Sequence, residues 1–127
     1  MSSPDLRLWI TGPLALLALG LALLSQPPAQ AAGTAAAADP VKGQAVYMAN
    51  CMACHGAAAD GNGPAAAALK PRPTNFSSAA WWEGKDDARV RSAIKSGKPG
   101  TAMMPFSQLS NDDLTHLVAF LRTKIKP

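Results

Sequence analysis

Cys51-Met52-Ala53-Cys54-His55-Gly56 is the stretch that decides how the rest of this chain is read. The sequence holds two cysteines and two histidines, and both cysteines and one histidine fall inside this run. Two thiols three positions apart, followed at once by an imidazole, form the C-x-x-C-H pattern of covalent haem attachment. Each thiol can bond one porphyrin vinyl group, and the imidazole then falls beneath the iron. The spacing therefore predicts one haem c, bonded through Cys51 and Cys54 and ligated by His55.

Three other readings of the run are weaker. A thioredoxin-like dithiol belongs at a strand-to-helix junction in a βαβ pattern, which this sequence lacks. Half a zinc site needs two more ligands, and His116 has no cysteine near it. A disulfide with two intervening residues closes too short a loop to constrain the unfolded chain much.

The N-terminus reads as a targeting segment. Arg7 is the only basic residue before Lys42, Leu8 to Leu24 is apolar and uncharged, and Ala29-Gln30-Ala31 is an A-x-A cleavage site. The expected organisation is a signal peptide over 1–31, a flexible Ala-rich leader over 32–38 and one domain over 39–127. The location expected is the periplasm. The competing reading keeps the segment as a membrane anchor, since 8–24 lies at the lower limit for spanning a bilayer. Gly12, Pro13 and the A-x-A site favour cleavage, with no membrane insertion afterwards.

Cleavage after Ala31 leaves 96 of the 127 residues. A domain of that size gains from a prosthetic staple around which a small core can close. The signal carries Asp5 and Arg7 together, so the net charge stays at +4 when it is removed. No recognition motif or aromatic-interleaved basic run accompanies that charge, which excludes nucleic acid as the expected partner.

Helical signals organise the mature part. Asp39-Pro40 supplies an N-cap and a first-turn proline, and Val41, Ala45, Met48 and Met52 recur at helical spacing, predicting a helix over about 40–51 with that stripe buried. Residues 56–81, punctuated by Gly56, Gly61, Gly63, Pro64, Pro71 and Pro73, read as a wrapping loop, with one helical turn over Ala65 to Leu69. A second helix is predicted over about 85–96, buried through Val90, Ala93 and Ile94. A third follows Ser110-Asn111-Asp112-Asp113, a variant capping box, with Leu114, Leu117, Val118, Leu121 and Ile125 on one face. No strand pattern or repeat is present, so the expected class is all-α.

The other side of the iron needs a second ligand. His116 sits roughly opposite the Leu117/Leu121 stripe and is expected to face solvent. Gly97-Lys98-Pro99-Gly100-Thr101-Ala102-Met103-Met104-Pro105-Phe106 offers two thioethers in a loop stiffened by Pro99 and Pro105. A thioether is a soft neutral ligand that raises the potential of haem iron.

From about 40 to 125 the chain resembles the class I c-type cytochromes, small mono-haem electron carriers of bacterial periplasms and mitochondria. The resemblance rests on Gly43 and Tyr47 ahead of Cys51, the run 51–56, Gly63-Pro64, Met104-Pro105-Phe106 and the closing helix with Leu117 and Phe120. It implies a cytochrome c fold, three main helices plus loops around one haem. It also implies Met104 rather than Met103 as the sixth ligand, from the Met-Pro pattern. Gly43 is implied to pack near Phe120, and the Pro64 carbonyl to accept a hydrogen bond from His55. Trp81 and Trp82 are left between lining the haem and ordinary packing, whereas Met48 and Met52 read as core.

The function so implied is electron transfer without catalysis, between redox protein partners and by a monomer. Lys85, Arg89, Arg91, Lys95 and Lys98 form a candidate basic face toward acidic partners. The alternatives are a haem c subunit of a larger oxidase or dehydrogenase complex, and a haem enzyme with an open iron. The 97–106 loop lacks the distal acid–base group the enzyme would use.

Overall fold

The first helix starts where the sequence supplies its cap. In the computed structural model, which describes residues 37–127, the extended Asp39 accepts from the Val41 and Lys42 N–H groups through its carboxylate, ahead of helix α1, Pro40–Asn50. The expected signal peptide over 1–31, and the leader up to residue 36, lie outside the described residues.

The buried face of α1 differs from the expected stripe. Gly43 and Tyr47 are buried, whereas Val41 is 76 % and Met48 44 % exposed, and Met52 only packs at the margin of the core. The cause is a close crossing with the last helix, α5, Asn111–Arg122. A Cβ on Gly43 would collide with the backbone of His116 and Leu117, so the missing side chain lets the two helices meet there. The backbone Gly43 meets is therefore the His116–Leu117 peptide, and one turn along each helix the Tyr47 and Phe120 rings lie 5.2 Å apart. Glycine costs helix propensity, and close approach is what it gains in return.

Helix α5 follows its sequence signals closely. Ser110 and Asp113 form a reciprocal capping box, and Leu114, Leu117, Val118, Phe120 and Leu121 are buried. His116 is buried too, against the expectation of a solvent-facing side chain. Its Nδ1 accepts the Asp39 N–H at 3.0 Å, because the start of α1 covers that side of α5.

Between these helices lie three short elements and one full helix. The turn α2, Met52–His55, follows α1 directly, and a 3₁₀ turn spans Ala66–Ala68. A further turn, α3, covers Ala79–Trp82. Helix α4, Asp87–Ser96, begins two residues later than expected because Asp86 is its cap, accepting from the Arg89 N–H. Val90 and Ile94 are buried in it, and Ala93 is exposed.

Tyr47, Leu117, Val118 and Leu121 are the largest fully buried side chains of a single core cluster. Burying each aliphatic one stabilises the fold by about 1.5–3 kcal/mol. Away from the α1–α5 crossing, Arg122 lies 4.0 Å from the Trp82 ring centroid and pairs with Asp87 at 2.7 Å. It also donates to the Lys85 carbonyl, so one side chain joins three helical elements. Among the described residues the only β pairing is an isolated bridge between Ser78 and Lys126. The fold is all-α.

Candidate functional site

The turn α2 and its cap Cys51 bring Cys51, Cys54 and His55 to the lining of a cavity of ≈ 380 Å³. The local fold has clear causes. Gly56 takes φ +79, a conformation glycine tolerates, and so ends α2 directly after His55. The buried Tyr47 hydroxyl donates to the Gly56 carbonyl at 2.6 Å, and the Gly61 N–H donates to the His55 carbonyl at 2.9 Å. Both bonds fix the turn that carries His55.

The His55 Nδ1 lies 3.0 Å from the Thr74 carbonyl, and a carbonyl can only accept. The proton is therefore on Nδ1, which leaves Nε2 as a free donor of its lone pair. Burial holds the His55 pKa below its ordinary value, against the smaller upward effect of the Thr74 bond, and so favours the neutral ring a metal needs. This partner corrects the expected one, since Pro64 is exposed and does not line the cavity. Phe76 packs against the His55 ring at a tilt of 31°, with centroids 4.8 Å apart.

Cys51 and Cys54 are free thiols. Burial, and then the neighbouring Cys54, push the Cys51 thiol up to about 11. A redox dithiol works through a stabilised thiolate, and this environment does the opposite. Among the described residues no group of His, Cys, Asp or Glu has the arrangement of a protein-only metal site.

The remaining walls come from the other end of the domain. Ile94, Phe106, Leu117 and Leu121 supply apolar surface, and Met103 and Met104 both reach the lining. The two thioethers differ: Met103 is half-buried and packs against the core, whereas Met104 is 66 % exposed. Tyr47, Asn50, Arg72, Thr74, Lys98 and Thr101 give the lining its polar atoms. Neither Trp81 nor Trp82 lines it. Trp82 donates through its indole to the Phe76 carbonyl at 2.8 Å, and the two rings pack edge to face. Their role is packing.

The donor set is two thiols, a neutral imidazole and two thioethers around an apolar cavity. That combination suits a covalently attached haem, with its flat hydrophobic faces and nitrogen- or sulfur-ligated iron. The Cytochrome c family model matches residues 40–124. The chain belongs to the cytochrome c family. The family accounts for the spacing of Cys51, Cys54 and His55: a cytochrome c domain carries haem c on such a motif and transfers electrons through its iron.

Two solved structures resemble this cytochrome c. One is a chain of the reducing HAO-like protein complex Kustc0457/Kustc0458 of Kuenenia stuttgartiensis, with 24 % identity and TM-score 0.60, over 66 % of this chain and 41 % of that one. The chain thus spans less than half the length of that neighbour. The other is the KustC0563 c-type cytochrome, with 26 % identity and TM-score 0.52, over 66 % of this chain and 98 % of that one. Among curated proteins none matches.

The expected basic face is partly engaged in the fold. Lys85 donates to the Trp81 carbonyl and lies over that ring, and Lys95 donates to the Leu109 carbonyl at 3.3 Å. Arg89 and Lys98 are exposed.

Proposed function

We propose that the chain is an exported mono-haem electron carrier of the periplasm, with one haem c held by Cys51 and Cys54 and ligated by His55 and a methionine. The observation that carries this reading is the shared cavity, which gathers both thiols and the His55 ring on one side and two thioethers on another. When bound, the haem supplies one-electron Fe(III)/Fe(II) chemistry. The protein's own residues do the rest. His55 presents Nε2 with its tautomer fixed by Thr74. The apolar walls exclude water, and Arg72 and Lys98 offer the cavity's two side-chain cations to the propionates.

The Met104-Pro105 pattern favours Met104 as the sixth ligand. Both thioethers line the cavity, Met103 packed against the core and Met104 exposed beside it. The partners are redox proteins with acidic surfaces that meet the basic residues around Arg89 and Lys98, and the mature protein is a monomer.

The test is expression in a host that matures c-type cytochromes. Mass spectrometry should give a chain starting at Ala32 with the mass of one added haem, resistant to acid–acetone extraction. Haem lost to the organic layer, or recovery in the membrane with residues 8–24 intact, would overturn the attachment or the export reading respectively. Co-purification with a large oxidase or dehydrogenase would replace the free shuttle by the complex subunit.

A further inference from the structure

The stretch from Thr74 to Ser77 is held from several directions at once. Its Thr74 carbonyl accepts from His55 Nδ1 at 3.0 Å. The Phe76 N–H donates to the Ala59 carbonyl at 2.7 Å, and the Ser77 carbonyl accepts from the Lys126 N–H at 2.9 Å. Within the stretch, the Asn75 Oδ1 accepts from the Ser77 N–H at 2.9 Å. One side chain from elsewhere completes the set. The Trp82 indole N–H donates to the Phe76 carbonyl at 2.8 Å, two residues along the chain from the carbonyl that His55 uses. Trp82 is 6 % exposed and lies outside the cavity lining, so its reach to the site runs through Phe76. Arg122 sits over its ring at 4.0 Å from the centroid and pairs with Asp87. The indole is thus held both by its face and by its N–H.

We propose that Trp82 is a positioning residue for the histidine of this cytochrome: its indole N–H anchors Phe76 and so sets where the Thr74 carbonyl meets His55. The inference rests on the reading that His55 ligates haem iron. An imidazole that shares its Nδ1 proton with a carbonyl is a more basic donor through Nε2, and a more basic ligand favours ferric over ferrous iron. Hydrogen bonds weaken steeply once their geometry leaves the optimum, so the placement of the acceptor decides how basic the ring becomes. Only two residues separate Thr74 from the anchored Phe76, and a shift of one is felt by the other. The Phe76 ring, packed on His55, moves with the same anchor. Trp81 supplies an internal comparison. Its ring lies 4.9 Å from that of Phe76, nearer than the 6.3 Å of Trp82, yet its indole makes no hydrogen bond among the described residues. Packing alone ranks Trp81 first, and the hydrogen bond ranks Trp82 first.

The experiment uses mature holoprotein and two variants, Trp82→Phe and Trp81→Phe, which lose the same amount of ring. The readouts are the midpoint potential and the solvent exchange of the His55 Nδ1 proton, followed by nuclear magnetic resonance. Trp82→Phe should speed that exchange and shift the iron equilibrium toward ferrous by about fivefold, the loss of roughly one net hydrogen bond. At about 59 mV per tenfold for one electron, the potential then rises by about 40 mV. Trp81→Phe should leave both readouts close to wild type. Equal shifts in the two variants assign the effect to packing and overturn the positioning role. Unchanged readouts in Trp82→Phe overturn it as well. So does a raised potential with unchanged Nδ1 exchange, because the effect then bypasses the Thr74 bond. A wild type without covalent haem removes the histidine-ligand reading itself, and the proposal with it. Should Trp82→Phe fail to mature, hydrogen exchange of wild-type holoprotein under mild denaturant decides. One common opening for the Trp82 indole proton and the His55 Nδ1 proton supports the anchor, and separate openings overturn it.

Discussion

The Tyr47 hydroxyl donates to the Gly56 carbonyl at 2.6 Å, joining the middle of α1 to the residue directly after His55. The bond is fully enclosed, with Tyr47 at 0 % exposure. Burial, ahead of the nearby Cys51 and Asp60, raises the Tyr47 pKa above its ordinary value, so the phenol keeps its proton and remains a donor. Tyr47→Phe leaves the Gly56 carbonyl without that donor and should cost about 1–3 kcal/mol. Urea denaturation of the holoprotein checks this, and an unchanged midpoint would show that the turn holds without the bond.

Gly43→Ala tests the helix crossing. The added methyl meets the His116–Leu117 backbone of α5, which cannot yield as a flexible side chain can. The expected cost is at or above the upper end of the ~1–3 kcal/mol typical of overpacking. Circular dichroism melting should show a large fall in Tm. An equally stable variant would mean that the helices can separate locally without penalty.

The two methionines are separated by substitution. Met104→Ala should abolish the far-red charge-transfer band of an iron–sulfur bond, open the ferric iron to cyanide and lower the potential by a sizeable share of the ~0.8 V range that axial ligands span. Met103→Ala removes a side chain packed against the core and should leave the band in place at a modest cost in stability. The reverse outcome assigns the ligand to Met103. If neither variant changes the spectrum, the open-iron enzyme becomes the reading to pursue.

The capping box of α5 gives an acid-side prediction. Hydrogen bonds from Ser110 hold the Asp113 carboxyl below its ordinary value of 3.8. A carboxylate with a depressed folded pKa contributes stability that is present above the unfolded value. That stability is lost as pH falls through the lower folded value. Ser110→Ala should therefore lower stability at neutral pH, by about 1 kcal/mol for the lost cap. It should also flatten the pH dependence below pH 3.8 relative to wild type. Thermal melts across pH 2–7 measure both.

What the sequence revealed and what it hid follow one physical division. Caps are local, so Asp39, Ser110 and Asp113 were legible, and the attachment run stands in consecutive positions. The buried face of α1 was misread because apolar periodicity weighs Val41 and Met48, whereas the crossing is set by Gly43, which has no side chain to register. His116 was placed in solvent by its angle on α5, and only the tertiary arrival of Asp39 covers it. The Thr74 carbonyl was out of reach for a similar reason: any residue offers one, so no side chain marks it. Both methionines of the 97–106 loop line the cavity, so it is the Met-Pro pattern of the sequence that separates Met104 from Met103.

The Arg122 side chain has a consequence for how this protein can change over time. It bridges Trp82, Asp87 and the Lys85 carbonyl, and none of those residues lines the cavity. The 97–106 loop can therefore vary without touching the brace. The brace still reaches the His55 side of the cavity by one route, the Trp82 indole that donates to the Phe76 carbonyl, so a change at Arg122 would be felt at His55 before it is felt in the loop.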